Sequence, residues 1–285
     1  MQTSKSQDIP VYLQLIQYVK SGFAILDETI QQEIVVFLES QQHTDGGFTD
    51  RAGNPDLYYS LFGFWLSIAT NSTERVEKFR SYINNQKENL LPGAVEQMAL
   101  VLINAELLKS QKEQSLLSLL KTVFLKGKKI GLSYQFFLLT LAVDAQNKNK
   151  TIYYFFARIG LYFYKPHGNL PCSLQSALTF AKHKVGLKII KDQEKIVSYY
   201  KKNEGFRAFS SVLNGDVLST AVALFVLRET DYDLRLIAPD CLDFVQQNYN
   251  SGAFLSGDGD KTRDLEYTFY GLLALGTLIE DSNGE

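Results

Sequence analysis

The chain has 285 residues, 45% of them hydrophobic, and its 29 Lys and Arg nearly balance its 31 Asp and Glu, for a formal net charge of -2. This composition predicts a globular protein large enough for one core, and the charge balance gives no reason to expect nucleic acid or an anionic membrane as a partner. The start of the chain is polar, and no apolar run approaches the roughly 18 residues of a membrane span. We therefore expect no membrane span, no targeting segment and a cytoplasmic location.

The first predicted element is an amphipathic helix over residues 11–20, and we assign residues 1–26 to this extra helix and its connection. We expect it to close one end of the fold. Six further stretches have one apolar and one charged face, which is typical of helices packed on one side and solvated on the other. They cover residues 28–42, 73–87, 111–124, 151–164, 192–202 and 241–249.

Six mostly apolar segments alternate with these stretches, and their starts are 39 to 48 residues apart. Each segment starts with an acid or amide, which is favoured in the first turn of a helix by the free N–H groups and the helix dipole. The starting residues are Asp56, Glu96, Gln135, Gln175, Asp216 and Asp264. Four segments carry a hydroxyl residue four places later, at Ser60, Thr179, Thr220 and Thr268.

Six inner and six outer helices predict an all-α fold: an α/α toroid of six hairpins, in other words a double-layered α6/α6 barrel formed by residues 1–285 as a single domain. An open solenoid such as a HEAT or armadillo array has a similar period. Long Gly-rich connectors precede Asp56, Asp216 and Asp264, and they are too long for the tight turns of a solenoid.

These connectors carry a family resemblance. The segment F-L-E-S-Q-Q-H-T-D-G-G-F-T-D-R-A-G-N-P-D-L-Y-Y-S from Phe37 resembles the repeat of protein prenyltransferase β subunits, and the Q-W repeat of squalene and hopene cyclases with Phe in place of Trp. Residues 261–268, K-T-R-D-L-E-Y-T, are similar to the last prenyltransferase repeat, and a shorter copy starts at Tyr199. The resemblance implies a toroid that binds an isoprenoid, a transferase or cyclase activity, and a second, α-type partner subunit.

The zinc ligands that the resemblance implies are absent. Tyr58 stands where the family has a Cys ligand and Tyr267 where it has a His, and a phenol is a poor zinc ligand beside thiolate and imidazole. The two cysteines, Cys172 and Cys241, are far apart and are expected to be small apolar side chains of the core. We expect no metal site and no cofactor, with zinc disfavoured and Mg²⁺ left open.

The acid of the hopene-type cyclases is also absent. The stretch from Asp216 reads D-V-L-S-T-A, so Leu218 replaces the carboxylate that protonates the substrate in those enzymes. Residues 93–97, G-A-V-E-Q, resemble the thioester motif of complement-like proteins without its Cys.

The candidate site is the rim where the inner helices begin, together with the cavity behind it. The candidate acids and bases are Asp56, Asp216, Asp264 and Glu266. The candidate diphosphate-binding residues are Arg51, Lys261 and Arg263, of which Arg51 and Lys261 match basic positions of the prenyltransferase repeats. Aromatic residues that we expect to line the cavity are Tyr58, Tyr59, Phe62, Tyr134, Tyr267 and Tyr270.

Three functions remain open at this point. The chain is an enzyme of isoprenoid metabolism that uses the rim acids, or a catalytically silent subunit that binds a prenyl chain, another lipid or a partner protein. The third is a sugar-active toroid with paired carboxylates. Trp65 is the sole tryptophan of the chain, so the tryptophan side chains on which sugar rings stack are missing, which argues against this function.

Overall fold

The computed structural model describes residues 9–85, 93–107, 115–123, 132–146, 150–166 and 168–279, with the backbone alone for residues 132–138. This part of the chain is mostly helical, with short two-residue strands, so the all-α prediction is confirmed. The helices are α1 (Val11–Ala24), α2 (Glu28–Ser40), α3 (Leu57–Ala69), α4 (Thr73–Asn84), α5 (Ala94–Leu107), α6 (Leu116–Lys121), α7 (Leu132–Ala145), α8 (Lys150–Phe163), α9 (Cys172–Lys184), α10 (Ile190–Val197), α11 (Val217–Glu229), α12 (Ala238–Gln247) and α13 (Leu265–Ile279).

The helices alternate between the two predicted kinds. The apolar repeat segments form α3, α5, α7, α9, α11 and α13, and the amphipathic stretches form α2, α4, α6, α8, α10 and α12. The predicted helix over residues 192–202 ends earlier, at Val197, because the chain turns there into a hairpin of β1 (Tyr200–Lys201) and β2 (Gly205–Phe206). A second hairpin pairs β3 (Tyr249–Asn250) with β4 (Ala253–Phe254).

The apolar helices contact one another in chain order. Helix α3 contacts α5, and the same holds for α5 and α7, α7 and α9, α9 and α11, and α11 and α13. Helix α13 in turn contacts α3, so the sequence of contacts returns to its start. Each amphipathic helix contacts at least one apolar helix adjacent to it in sequence.

Three repeats share a phenylalanine held over the start of an apolar helix. Phe48, Phe206 and Phe254 are each at most 1% exposed. The backbone N–H of each Phe donates to the hydroxyl of the Ser or Thr that lies four residues after the Asp of the same repeat. That Ser or Thr therefore has a structural role. The distances are 2.8 Å from Phe48 to Ser60 Oγ, 2.9 Å from Phe206 to Thr220 Oγ1 and 3.4 Å from Phe254 to Thr268 Oγ1.

A glycine underneath two of these rings makes room for each. A Cβ atom added to Gly63 would lie 2.3 Å from the Phe48 ring, and one added to Gly271 would lie 2.2 Å from the Phe254 ring. The corresponding residue of the third repeat is Ala223. All three stand seven places after the Asp of their repeat.

Helix α1 packs against α13 with its backbone in close approach. A Cβ atom added to Gly22 would lie 2.1 Å from the carbonyl oxygen of Leu272, and one added to Gly276 would lie 1.8 Å from that of Tyr18. Only glycine fits at either position without moving the helices apart.

Helix α1 lies near the C-terminal ends of the apolar helices. The backbone N–H of Val11 donates to Asp144 at the end of α7 (2.6 Å), and the Tyr18 hydroxyl donates to Glu229 at the end of α11 (2.8 Å). The three Asp residues that precede α3, α11 and α13 lie at the opposite ends of their helices. This arrangement leaves the Asp-tipped end, hereafter the rim, away from α1.

Candidate functional site

An apolar cavity of about 120 Å³ lies among the apolar helices. Side chains of α1 and of all six apolar helices line it, including Tyr58, Phe62 and Tyr270, which the sequence analysis expects there. Tyr59 and Tyr267 belong to the rim instead. The side chain of Tyr134 lies outside the described residues.

Aromatic rings form one wall of this cavity. The Phe62 ring centroid is 5.1 Å from that of Tyr58, 5.3 Å from that of Phe269 and 5.7 Å from that of Tyr270. The Tyr58 contact is edge-to-face and the other two are tilted, which are arrangements that aromatic quadrupoles favour. The wall therefore offers an apolar molecule a rigid, polarisable surface.

One donor in the cavity wall has no partner in the described part of the chain. Trp65 is 3% exposed, and its indole N–H makes no hydrogen bond there. A buried, unsatisfied donor costs about 1–3 kcal/mol. The wall of the cavity thus contains one strained polar group among apolar side chains.

The polar boundary of the cavity is a tyrosine–glutamate pair. The hydroxyl of Tyr58, which lines the cavity, donates to Glu266 Oε1 at 2.6 Å. Burial raises the pKa of Glu266 to about 6, an effect that the Tyr58 hydrogen bond opposes and the negative charge of Asp264 reinforces. A carboxyl group with this pKa exchanges its proton near neutral pH, as a general acid or base must.

Asp216 is the second buried acid of the rim. It caps α11 by accepting the backbone N–H of Ser219 at 2.8 Å, and it also accepts the Ser219 hydroxyl and the Tyr267 hydroxyl, the latter at 3.2 Å. Burial raises the pKa of Asp216 although these hydrogen bonds lower it. Burial, followed by the charge of Asp216, raises the pKa of Tyr267, so the phenol stays protonated and remains a donor.

Arg51 is bound to two carboxylates. Its Nε and Nη2 atoms lie 2.7 and 2.6 Å from Asp264 Oδ2, and its Nη1 atom lies 2.8 Å from Asp260 Oδ2. Burial and the nearby charges of Asp264 and Glu266 raise the pKa of Tyr59, while Arg51 lowers it, which places Tyr59 in the same group. The guanidinium charge is therefore already neutralised within the protein.

The remaining predicted site residues make other contacts. Asp56 caps α3 through the backbone N–H of Tyr59 at 2.9 Å, and Lys261 is exposed. Arg263 donates to the carbonyl oxygen of Ser251 at 2.9 Å, and its guanidinium lies 5.6 Å from the ring centroid of Phe37 on α2. The guanidinium groups of Arg51 and Arg263 thus bind different parts of the protein.

Both cysteines are buried in the core. Cys172 and Cys241 are unbridged and 0% exposed, and burial raises the pKa of the Cys241 thiol to about 12. Among the residues that the structure describes, no group of three or more His, Cys, Asp or Glu is placed to hold a metal ion. Within the same residues, no helix is both long and apolar enough to cross a membrane.

Sequence reasoning missed three contributors to the site. Val11 and Leu15 of α1 line the cavity, and the only signal was their spacing of four on one apolar helix face. Asp260, the second carboxylate on Arg51, lies in a loop without regular spacing. The comparisons with known proteins give no further lead, since no family model, no curated protein and no solved structure matches this chain.

Proposed function

We propose that the chain is an α/α toroid that binds an uncharged, isoprenoid-like molecule in its central cavity and acts as a binding subunit. The order of helix contacts, which runs from α3 to α13 and returns to α3, supports the toroid. The repeat motifs that resemble protein prenyltransferase β subunits and terpenoid cyclases support the isoprenoid class of ligand.

The observation that carries the proposal is the cavity with its aromatic wall. A cavity of about 120 Å³ is close in size to engineered cavities of about 150 Å³ that bind benzene, so it accommodates roughly one branched five-carbon unit. Apolar ligands gain about 25 cal/mol for each Å² that they remove from water. Longer chains need more room than the side chains of Val11 and Leu15 leave.

The charges of the rim favour an uncharged ligand over a diphosphate. Asp264 and Asp260 already bind the guanidinium of Arg51, and two further carboxylates, Asp216 and Glu266, lie nearby. A diphosphate would meet like charge here, which costs free energy in a partly desolvated site. An uncharged ligand meets no such penalty.

Catalysis by Glu266 is the second candidate function. The specific observation is its pKa of about 6 together with its hydrogen bond to Tyr58, which lines the cavity. A protonated carboxyl group at this position could donate a proton to an alkene or a leaving group. Asp56 is less suited, since its side chain caps α3.

Calorimetry with three ligands tests the proposal. We expect prenol, a five-carbon isoprenoid alcohol, to bind, geraniol to bind more weakly because of its length, and farnesyl diphosphate not to bind. Mass spectrometry of the same mixtures tests for a product. Binding without a product supports the binding subunit, whereas a product that disappears in Glu266→Gln supports catalysis.

A matched pair of variants locates the binding site. Ala177 lines the cavity, and Ala69 is also buried but does not line it. Changing either to Leu should destabilise the protein by about 1–3 kcal/mol through overpacking. Only Ala177→Leu should abolish the heat of prenol binding, and equal loss in both variants, or binding of farnesyl diphosphate alone, would contradict the proposal.

Cavity size is tested by removing a side chain from its floor. Leu15→Ala enlarges the cavity from the side of α1, so it should shift the preference from prenol towards geraniol. An unchanged preference would mean that the ligands bind elsewhere.

A further inference from the structure

Helix α8 exposes large apolar side chains along the face that points away from the core. Its buried face consists of Tyr153, Ala157 and Leu161, at a spacing of four. The opposite face is also apolar, with Ile152, Phe155, Phe156, Ile159, Tyr162 and Phe163 all 47–74% exposed. We call these six residues the α8 face.

This exposure is unusual for an outer helix. Helix α4, which has the same position in its repeat, places charged residues such as Glu74 and Lys78 on its solvent side, where they form an ion pair. Contiguous exposed apolar patches on a protein surface generally mark a site of interaction. We therefore expect a partner to cover the α8 face.

Positive charge predominates around the α8 face, although acids just outside the segment pair with two of its cations, Asp144 with Lys150 and Asp192 with Lys182. Residues 145–191 contain eight Lys or Arg and no Asp or Glu, which leaves 21 basic and 31 acidic residues in the rest of the chain. Arg158, Lys165 and Lys188 of this segment are exposed. The whole chain has a net charge of -2, so this excess of positive charge is local to the segment.

Cations and apolar side chains share one cleft beside α8. The cleft, of about 810 Å³, is lined by Phe155, Ile159 and Tyr162 together with Arg158 and Lys188. An occupant that satisfies both groups needs an apolar part and a negative charge next to it.

We propose that the α8 face is a docking surface for an anionic phospholipid bilayer. Amphipathic helices with Phe on the apolar side and Lys or Arg beside it lie in the plane of a membrane interface, with their apolar face among the acyl chains. In that orientation the cations of the segment lie at the level of the lipid phosphates, and the Tyr162 hydroxyl reaches the headgroups. Helix α8 has 14 residues, so it lies on the bilayer and does not cross it.

Charge argues against a second copy of the chain as the occupant. A two-fold symmetric pair would bring the same surface of each copy together. The exposed cations Arg158, Lys165 and Lys188 would then lie close to their own copies and repel them. An anionic bilayer has the opposite sign and meets no such penalty.

Sedimentation with phospholipid vesicles tests this proposal, which is independent of the cavity. We expect the full chain to bind vesicles of equal parts phosphatidylserine and phosphatidylcholine, to bind pure phosphatidylcholine far more weakly, and to dissociate at high salt. Phe163→Ser should lower the partition coefficient about tenfold or more because an exposed Phe loses its burial in the bilayer. Leu236→Ser, a change at a residue that is 90% exposed elsewhere on the surface, should have no effect.

A charge variant gives a second, independent readout. Lys188→Glu should weaken binding to the anionic vesicles about fivefold or more, whereas Lys202→Glu, at an exposed position outside the segment, should change it little. Circular dichroism of each variant shows that it is folded. The proposal is overturned if the chain does not sediment with anionic vesicles, or if it binds the soluble polyanion polyglutamate but no lipid. It is also overturned if Phe163→Ser leaves vesicle binding unchanged and only dissociates a dimer.

Discussion

The repeats at the two ends of the chain differ from those in its middle. In the repeats of α3, α11 and α13 an Asp precedes the helix, and a buried Phe donates its N–H to the hydroxyl residue within the first turns. In the middle, α9 follows Pro171 without a side-chain cap, and Gln175 lies inside its first turn. Short bridges or hairpins accompany only the end repeats in the described part of the chain.

This difference shows how the polar groups of the rim are positioned. An Asp held by its own helix cap can still offer its second oxygen to a neighbouring repeat, as Asp264 does to Arg51 and Asp216 does to Tyr267. The repeats without this motif contribute apolar residues to the cavity and the basic segment around α8. The buried carboxylates of the rim and the exposed apolar face of α8 thus belong to different repeats.

The largest expected effect comes from crowding a ring of an end repeat. Gly271→Val should destabilise the protein by about 3 kcal/mol, because its side chain would occupy the space of the Phe254 ring. The corresponding position in the repeat of α5 is Ile103, where Ile103→Val should cost only about 1 kcal/mol. Urea unfolding measures both, and equal losses would show that the two kinds of repeat pack alike.

A smaller effect is expected from removing a hydroxyl group. Thr220→Val should cost about 2 kcal/mol because the buried N–H of Phe206 loses its acceptor. Thr179→Val is the control from the middle of the chain, since the Thr179 hydroxyl bonds only Gln175 of its own helix, donating to its carbonyl oxygen and accepting a long 3.4 Å bond from its side-chain amide. It should cost about 1 kcal/mol or less by the same measurement, and a larger loss than for Thr220→Val would reverse the comparison.

The smallest effect concerns the pH dependence of the rim. The pKa of Glu266 is raised from 4.5 to about 6 in the folded protein, so the folded state binds more protons than the unfolded state between these values. The stability contributed by this group is therefore present below the unfolded pKa and lost as pH rises through the folded pKa. The variant Glu266→Gln has no carboxyl group to titrate, so it does not lose this stability as pH rises. The free energy of unfolding of the variant minus that of the parent should therefore increase by about 1–2 kcal/mol from pH 4 to pH 7.

Unfolding of the parent and of Glu266→Gln at several pH values provides the test. A difference in stability that stays constant between acidic and neutral pH would show that Glu266 titrates as an ordinary exposed carboxylate. Glu28→Gln, at an exposed residue of α2, provides a carboxyl control outside the rim.

The repeat pattern predicted the helices well because helix formation depends on residues that are close together in the sequence. The period of the apolar residues and the acid or amide near each start are sufficient to identify both kinds of helix, and the structure has helices at all twelve predicted repeat positions. The hydroxyl residue four places after each Asp was also visible. Its role was not, because the Phe that donates to it is 12 to 14 residues away in the chain.

The rim and the α8 face were harder to predict because they depend on distant contacts and on orientation. Arg51 and Asp264 are 213 residues apart, and nothing in either motif shows that the guanidinium is neutralised by carboxylates and not free to bind a diphosphate. Residues 151–164 were interpreted as an amphipathic helix with a charged outer face. Arg158 is the only charged residue among them, and apolar side chains occupy both faces, so periodicity alone could not distinguish the exposed face from the buried one.

The fluorescence of Trp65 tests the central claim most directly. It is the sole tryptophan of the chain and it lines the cavity, so its emission reports on that cavity alone. We expect a saturable change on titration with prenol, with the same midpoint as the calorimetric binding curve, and no such change in Ala177→Leu. Emission that stays constant while prenol binds, or that responds equally in Ala177→Leu, would contradict binding in the aromatic cavity.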